Sequence, residues 1–300
     1  MSRRILVPLD GSPFAERALT LAVPLAHQAD ASLVLTLANP LPPRVEDMTG
    51  APIDPRSADR DVREHLRQQL ERVARRVATR YGLTVATQFR EGPIIDEIEA
   101  AITDVSAELV VMATHGRGGV SRLWLGSITD ALLRRCRVPM LITRTARTWT
   151  LTAADEPFLP RVLVALDGSA LAEEAFERTI AVIGHSVGEF VLVRVEDAPI
   201  APVSSTWVSE ATLRIREGYL EPFAARHRGD ARRIRTRAVV HHDAARAILE
   251  VAKEEHAFAI ALATHGRTGV RRAVLGSVAD KVVRGAPGPV LVCPATRMRD

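Results

Sequence analysis

The chain has 300 residues, 47% of them hydrophobic and 25% charged, which fits a water-soluble protein large enough for two domain cores. No run approaches the roughly 18 uninterrupted apolar residues of a membrane span, and Met1 to Arg4 lead straight into a strand-like run without a leader segment, so no membrane partner is expected and the compartment expected is cytoplasmic. The net charge of +4 rests on arginines that alternate with acids, as from Arg60 to Arg67, a pattern of solvated helix faces that speaks against a nucleic-acid partner.

The first predicted strand, Arg4 to Leu9, ends at Asp10-Gly11-Ser12, and the same phrase closes Arg161 to Leu166 at Asp167-Gly168-Ser169. Helices follow each, with Phe14, Ala18, Leu21, Ala22 and Leu25 on one face and Ala172, Ala175, Phe176, Thr179, Ile180 and Ile183 on the other copy's face. Ser12 and Ser169 suit the N-cap position. Second strands are predicted over Ser32 to Leu37 and Phe190 to Val195. The proline-rich stretch from Asn39 to Ala58 reads as a loop, and its counterpart, Glu196 to Ser209, is shorter. Helices over Ala58 to Tyr81 and Val208 to His227 come next, then strands Thr84 to Phe89 and Ile234 to Val240, then helices Pro93 to Ser106 and Asp243 to Glu255.

Leu109 to Ala113 and Ala259 to Ala263 are continuous apolar runs, the composition of strands covered on both faces. Each feeds a repeated loop: Ala113-Thr114-His115-Gly116-Arg117-Gly118-Gly119, then Gly126-Ser127; and Ala263-Thr264-His265-Gly266-Arg267-Thr268-Gly269, then Gly276-Ser277. In both copies nine residues separate the glycine after histidine from the Gly-Ser pair. Closing helices (Ser127 to Cys136, Ser277 to Arg284) and strands (Val138 to Thr143, Pro289 to Val292) complete each copy. The chain is thus a tandem repeat, with domains expected at 1–147 and 160–300 and a linker at 148–159. Strand and helix in alternation predict an α/β, Rossmann-like fold, a parallel sheet with helices on both faces.

A glycine-rich loop that leaves a buried strand and reaches a helix N-terminus suits phosphate, because small residues let backbone N–H groups approach and the helix dipole favours an anion. Gly116, Gly118, Gly119, Gly126 and Ser127 supply this in the first copy, and Gly266, Gly269, Gly276 and Ser277 in the second. The same glycines also serve as tight turns, and both readings stand at this point. Cys136 and Cys293 lie at non-equivalent places, which fits neither a disulfide framework nor a metal cluster. His241 and His242 are read as surface residues on opposite faces of a strand end, not as metal ligands. His115 and His265 are read as loop-fixing residues, and no catalytic residue is assigned.

The aspartate after the first strand, the Thr-His-Gly loop, nine residues, Gly-Ser and the apolar closing strand together resemble the universal stress protein family, over both copies. That resemblance implies two five-stranded parallel sheets of the adenine nucleotide alpha hydrolase-like kind, binding ATP or another adenine nucleotide, with Mg as an accompanying ion. It places Pro8, Asp10 and Leu37, and Ala165, Asp167 and Val195, against adenine and ribose. It assigns ribose and phosphates to Ala113 through Gly119 with Gly126, Ser127, Ile128 and Thr129, and to Ala263 through Gly269 with Gly276, Ser277, Val278 and Ala279. Asp10 and Asp167 have an equally weighted role as caps of the turn before the helix. Family members that hold ATP have glycine where this chain has Ala113 and Ala263; a left-handed backbone there would cost alanine about 1–2 kcal/mol, whereas a mere need for smallness would not.

The function implied is a nucleotide-binding stress-response or regulatory protein without dedicated catalysis, with weak ATP hydrolysis as the upper limit on activity. The alternatives are a slow ATPase or adenylyl-transferring enzyme, and a nucleotide-free dimerising module. The resemblance also implies an intramolecular pseudo-dimer through the closing strands, with homodimerisation of the whole chain left open.

Overall fold

The structure, a computed structural model, describes residues 3–40, 45–46, 52–53, 60–114, 125–144, 160–198, 204–229, 231, 233–264 and 275–294. The chain divides into two compact units, Met1–Ala113 with Thr148–Thr150, and Thr114–Arg147 with Leu151–Asp300. The expected linker lies outside the described residues.

The first unit contains β1 (Arg4–Leu9), α1 (Leu19–Ala29), β2 (Ser32–Asn39), the short strands β3 (Val45–Glu46) and β4 (Pro52–Ile53), α2 (Arg60–Tyr81), β5 (Val85–Glu91), α3 (Ile94–Asp104) and β6 (Leu109–Ala113). Its strands lie in the order β6-β1-β2-β5. All three pairings are parallel, running from Arg4 opposite Ser32 to Leu9 opposite Leu37, from Leu33 opposite Val85 to Asn39 opposite Glu91, and through Ile5 opposite Leu109. The first helix opens as a 3-10 turn over Ala15–Ala18, to whose Ala15 N–H the Ser12 hydroxyl is bonded. Within the stretch expected to be all loop, β3 and β4 pair antiparallel. The stripe Leu70, Val73, Ala74 and Val77 holds α2 to the core at the spacing of a buried helix face.

The second unit contains α4 (Ser127–Arg135), β7 (Met140–Thr143), β8 (Arg161–Ala165), α5 (Ala170–Ile183), β9 (Glu189–Glu196), α6 (Ser205–Ile215), α7 (Glu221–Arg226), β10 (Ile234–Val240), α8 (Ala244–Glu254), β11 (Ala259–Ala263), α9 (Ser277–Gly285) and β12 (Val290–Cys293). Strand order is β10-β9-β8-β11-β12-β7. The second repeat's five strands are parallel throughout, and β7, the last strand of the first repeat, runs antiparallel to β12 with Leu141 opposite Leu291. Every residue of β11 is buried, as its unbroken apolar run requires. Phe176 on α5 sits between Phe190 and Phe223, each at a ring-centroid distance of 5.5 Å. The single helix expected over Val208 to His227 is instead α6, a π-helical turn over Arg216–Leu220 and then α7. A π turn carries one extra residue, and the buried positions Ile215 and Leu220 stand five apart across it.

Ion pairs hold the amino ends of the strands in this unit. Glu189 on β9 is 7% exposed and accepts from Arg235 at 2.7 Å, from Arg161 and from Arg233, while Arg235 also reaches Glu255 at 2.6 Å. Burial by itself would push the Glu189 carboxyl up; the hydrogen bonds from Arg235 and Arg161 outweigh it and hold the group below the usual carboxylate range.

Candidate functional site

β8 leads through α5 to β9 on one side of it, whereas β11 leads through α9 to β12 on the other, so the crevice at their carboxyl ends is a topological switch point. The second repeat delivers its expected site residues there. Ala165 ends β8 with Asp167 two residues on, Ala263 ends β11 with Thr264 next, and Gly276 to Ala279 open α9. Val195 lies near the end of the neighbouring β9.

The helix start is chemically distinctive. Ser169, Ser204 and Asp243 cap α5, α6 and α8 through their side chains, accepting from Ala172, Trp207 and Arg246. Gly276 before α9 and Gly126 before α4 offer no side-chain cap. Ser277 and Val278 in the first turn of α9 are exposed, while Ala279 is buried, and the first-turn N–H groups have no acceptor within the helix. An acidic side chain in that turn, Asp280, would oppose a bound anion, but Arg284 holds it at 2.8 and 2.9 Å. Asp130 in α4 is likewise paired, by Arg134 at 3.0 Å.

The threonines tie the two ends of each long loop together. Thr114 Oγ1 accepts from Gly126 N at 3.1 Å, and the Thr264 carbonyl accepts from Gly276 N at 2.8 Å. Each threonine N–H also donates to the end of its closing strand, at Thr143 and Cys293. Both side chains are buried. Sequence reasoning grouped Thr114 and Thr264 with the ligand contacts and missed this clamp; their invariant place between strand and loop was the only signal. His115 to Gly119 and His265 to Gly269 lie outside the described residues.

Ala113 and Ala263 end their strands and are absent from the described residues with positive φ, so the left-handed strain weighed for them does not arise. Beside the site, left-handed backbone falls at Gly11 (φ 81°) and Gly168 (φ 82°). Each glycine follows an aspartate that organises the turn: Asp10 Oδ1 accepts from Ser12 N at 2.9 Å, and Asp167 Oδ1 accepts from Ser169 N at 2.9 Å and from its hydroxyl at 2.6 Å. In the first unit Pro8, Asp10, Leu37 and Ala113 lie at the carboxyl ends of three neighbouring strands, β1, β2 and β6. Pairing sets Pro8 opposite Thr36 and Ala165 opposite Val193, so the register counterpart of Leu37 is Arg194, and Val195 is one residue further on.

The two histidines follow β10 and do not diverge to opposite faces. Their rings stack with centroids 4.4 Å apart, and His241 Nδ1 accepts from Asp243 N at 2.9 Å, because the strand ends at Val240 and the turn into α8 has begun. Among the described residues no three His, Cys, Asp or Glu side chains gather as a metal site, and no helix is long and apolar enough to cross a membrane.

A doubly wound parallel sheet with a glycine-started helix at its switch point defines an α/β protein of the open-sheet, Rossmann-like class. The universal stress protein family model matches residues 1–144 and again 159–294, and the chain belongs to that family. A universal stress protein of Mycolicibacterium smegmatis is 28% identical over 300 residues, covering 96% of each chain. One from Mycobacterium tuberculosis is 29% identical over 198 residues, covering 62% of this chain and 61% of that one. In fold, the crystal structure of a universal stress protein from Archaeoglobus fulgidus superposes with a TM-score of 0.72 at 21% identity, covering 98% of this chain and 99% of that chain.

Proposed function

We propose that the chain is an adenine-nucleotide-binding regulatory protein that holds ATP at the switch-point crevice and performs no dedicated chemistry on it. The observation that supports this most is the start of α9, where an uncapped helix end, its exposed first turn and a neutralised Asp280 leave backbone donors for phosphate beside the carboxyl ends of β8 and β11. Ala165, Asp167 and Val195 stand where the base and ribose would lie, and Mg would enter on the phosphates. By their sequence likeness, Gly126 to Thr129 with Pro8, Asp10 and Leu37 are proposed for the same task. We further propose domain limits of 1–147 and 160–300, a cytoplasmic setting, and an internal pair of repeats joined at their closing strands.

Equilibrium dialysis with ATP tests the reading. Gly276 has φ −58° and ψ 149°, a backbone open to any residue, so Gly276→Asp creates a capping side chain and sets a carboxylate where phosphate would sit. ATP retention should fall by about tenfold or more, the effect of one lost charge-assisted contact plus repulsion, with thermal stability unchanged or raised. Unchanged retention would reject the site. No retention by the parent chain would favour the nucleotide-free module, in which Asp10 and Asp167 serve only their turns.

A further inference from the structure

An open groove of about 580 Å³ lies at the carboxyl end of β9, with Arg194, Glu196, Asp197, Trp207 and Tyr219 in its lining. It borders the proposed nucleotide crevice. Arg194 is the register counterpart of Leu37, and Leu166, just before Asp167, donates its N–H to the Val193 carbonyl at 2.8 Å. Burial, then the Glu173 carboxylate and, more weakly, that of Asp167 push the Tyr219 hydroxyl up, so Asp167 and the groove wall are neighbours.

Strand order sets the distances along this edge. β9, β8 and β11 are adjacent, and the Thr264 carbonyl just past β11 accepts from Gly276 N at the start of α9. Two strand spacings put the groove about 10 Å from the end of β11. A ribose and its first phosphate fit between a base in the groove and the helix start that lacks a side-chain cap.

One aromatic ring of the groove is uncommitted. Tyr219 stacks on Phe223 with centroids 6.0 Å apart and carries the Arg194 guanidinium at 4.8 Å, while Phe223 packs against Phe176 and His227. Trp207, half-buried in the first turn of α6 and held there through its N–H by Ser204 Oγ at 3.1 Å, pairs with no other ring among the described residues. At the lining, Arg194 and Arg214 balance Glu196 and Asp197, which suits a flat neutral group better than a phosphate. The corresponding helix of the first repeat, α2, bears no tryptophan.

We propose that the nucleotide base lies in this groove against Trp207, which makes Trp207 a specificity-determining residue of the second repeat alone. This rests on the nucleotide reading given above for the crevice. Stacking recognises the flat face of a base, so Trp207 separates a nucleotide from a bare polyphosphate.

The test uses the full chain carrying Gly126→Asp, which closes the phosphate site proposed for the first repeat, so that equilibrium dialysis reads the second. ATP and inorganic tripolyphosphate are the probes. Trp207→Ala should weaken ATP binding by about tenfold and leave tripolyphosphate binding unchanged, with unaltered far-UV circular dichroism because alanine suits a helix. Trp207→Phe, which keeps a ring, should recover most of the ATP affinity. Trp207→Leu, which keeps apolar bulk without a ring, should behave as Trp207→Ala, and it decides the matter if Trp207→Ala does not fold or tripolyphosphate binds too weakly to read. Undiminished ATP binding without the ring, or an equal loss for both probes, overturns the role of Trp207 and leaves the nucleotide reading standing. Loss of all ATP binding on Gly126→Asp alone confines the nucleotide to the first repeat and also overturns it. A parent chain that retains no ATP overturns both.

Discussion

At the scale of single residues, the most consequential charge is Glu189. It is buried among Arg161, Arg233 and Arg235, and its hydrogen bonds hold its carboxyl below the usual range against the upward push of burial. A folded-state pKa below the unfolded one means stability that is present above the unfolded value of about 4.3 and lost as pH falls through the folded value. The side chains of Arg161, Arg235 and Arg233 are 35%, 39% and 70% exposed, which screens the attraction. Glu189→Gln should therefore cost about 1–2 kcal/mol near neutral pH, less than a fully buried pair would. Chemical denaturation of both proteins checks this: the gap should narrow below about pH 4, and a gap independent of pH would show that packing, not charge, is what Gln disturbs. Ala263 invites the opposite experiment. Its strand backbone needs no glycine, so Ala263→Gly should lower stability by about 0.5–1 kcal/mol through backbone entropy, and any gain in ATP affinity would come from space alone.

At the scale of elements, the strands were legible because their apolar runs stop at punctuation: Leu109–Ala113, Ala259–Ala263, Arg4–Leu9 and Ile234–Val240 have the limits the sequence suggests. The loop-to-helix start at Gly276 was legible for the same reason. The π turn was not read, although the five-residue step from Ile215 to Leu220 is longer than the three or four of a buried α-helix stripe. Nor was the clamp of Thr264 on Gly276, which uses main-chain atoms that carry no sequence signal. The offset of Arg194 from Val195 needed the strand register, which alternation alone leaves free by one residue. The ends of α3 and α8 add a detail of the same kind. Ser106 (φ 49°) and His256 (φ 51°) take the left-handed position after each helix, with Ala107 N bonded to the Ile102 carbonyl and Ala257 N to that of Ala252. A non-glycine residue there is strained by about 1 kcal/mol. Ser106→Gly and His256→Gly should each raise the unfolding free energy from chemical denaturation by about 1 kcal/mol, additively, since they lie in different repeats; a loss of stability would mean that the side chains make contacts worth more than the strain.

At the scale of the whole molecule, duplication gives one chain two closing strands, and apolar strand edges call for cover. β7 and β12 pair antiparallel, Met140 opposite Val292 and Ile142 opposite Val290, with all of these residues buried. Arg144, just past β7, donates to the carbonyls of Val283 and Arg284 at the end of α9, where a cation also complements the helix dipole. Arg284 in turn lies 3.7 Å from Asp130 on α4. Residues of the first repeat thus complete a strand edge and a helix end of the second, as the proposed internal pair requires. A protease site placed in residues 148–159 should then give two fragments that co-elute on size exclusion after cleavage and separate only in denaturant. Adding Leu141→Pro, which removes a ladder donor and stiffens the backbone at the centre of β7, should let the cleaved fragments part at micromolar concentration. Fragments that part without that substitution would show that the peptide link, and not the strand pair, keeps the repeats together, and the internal pair would have to be abandoned.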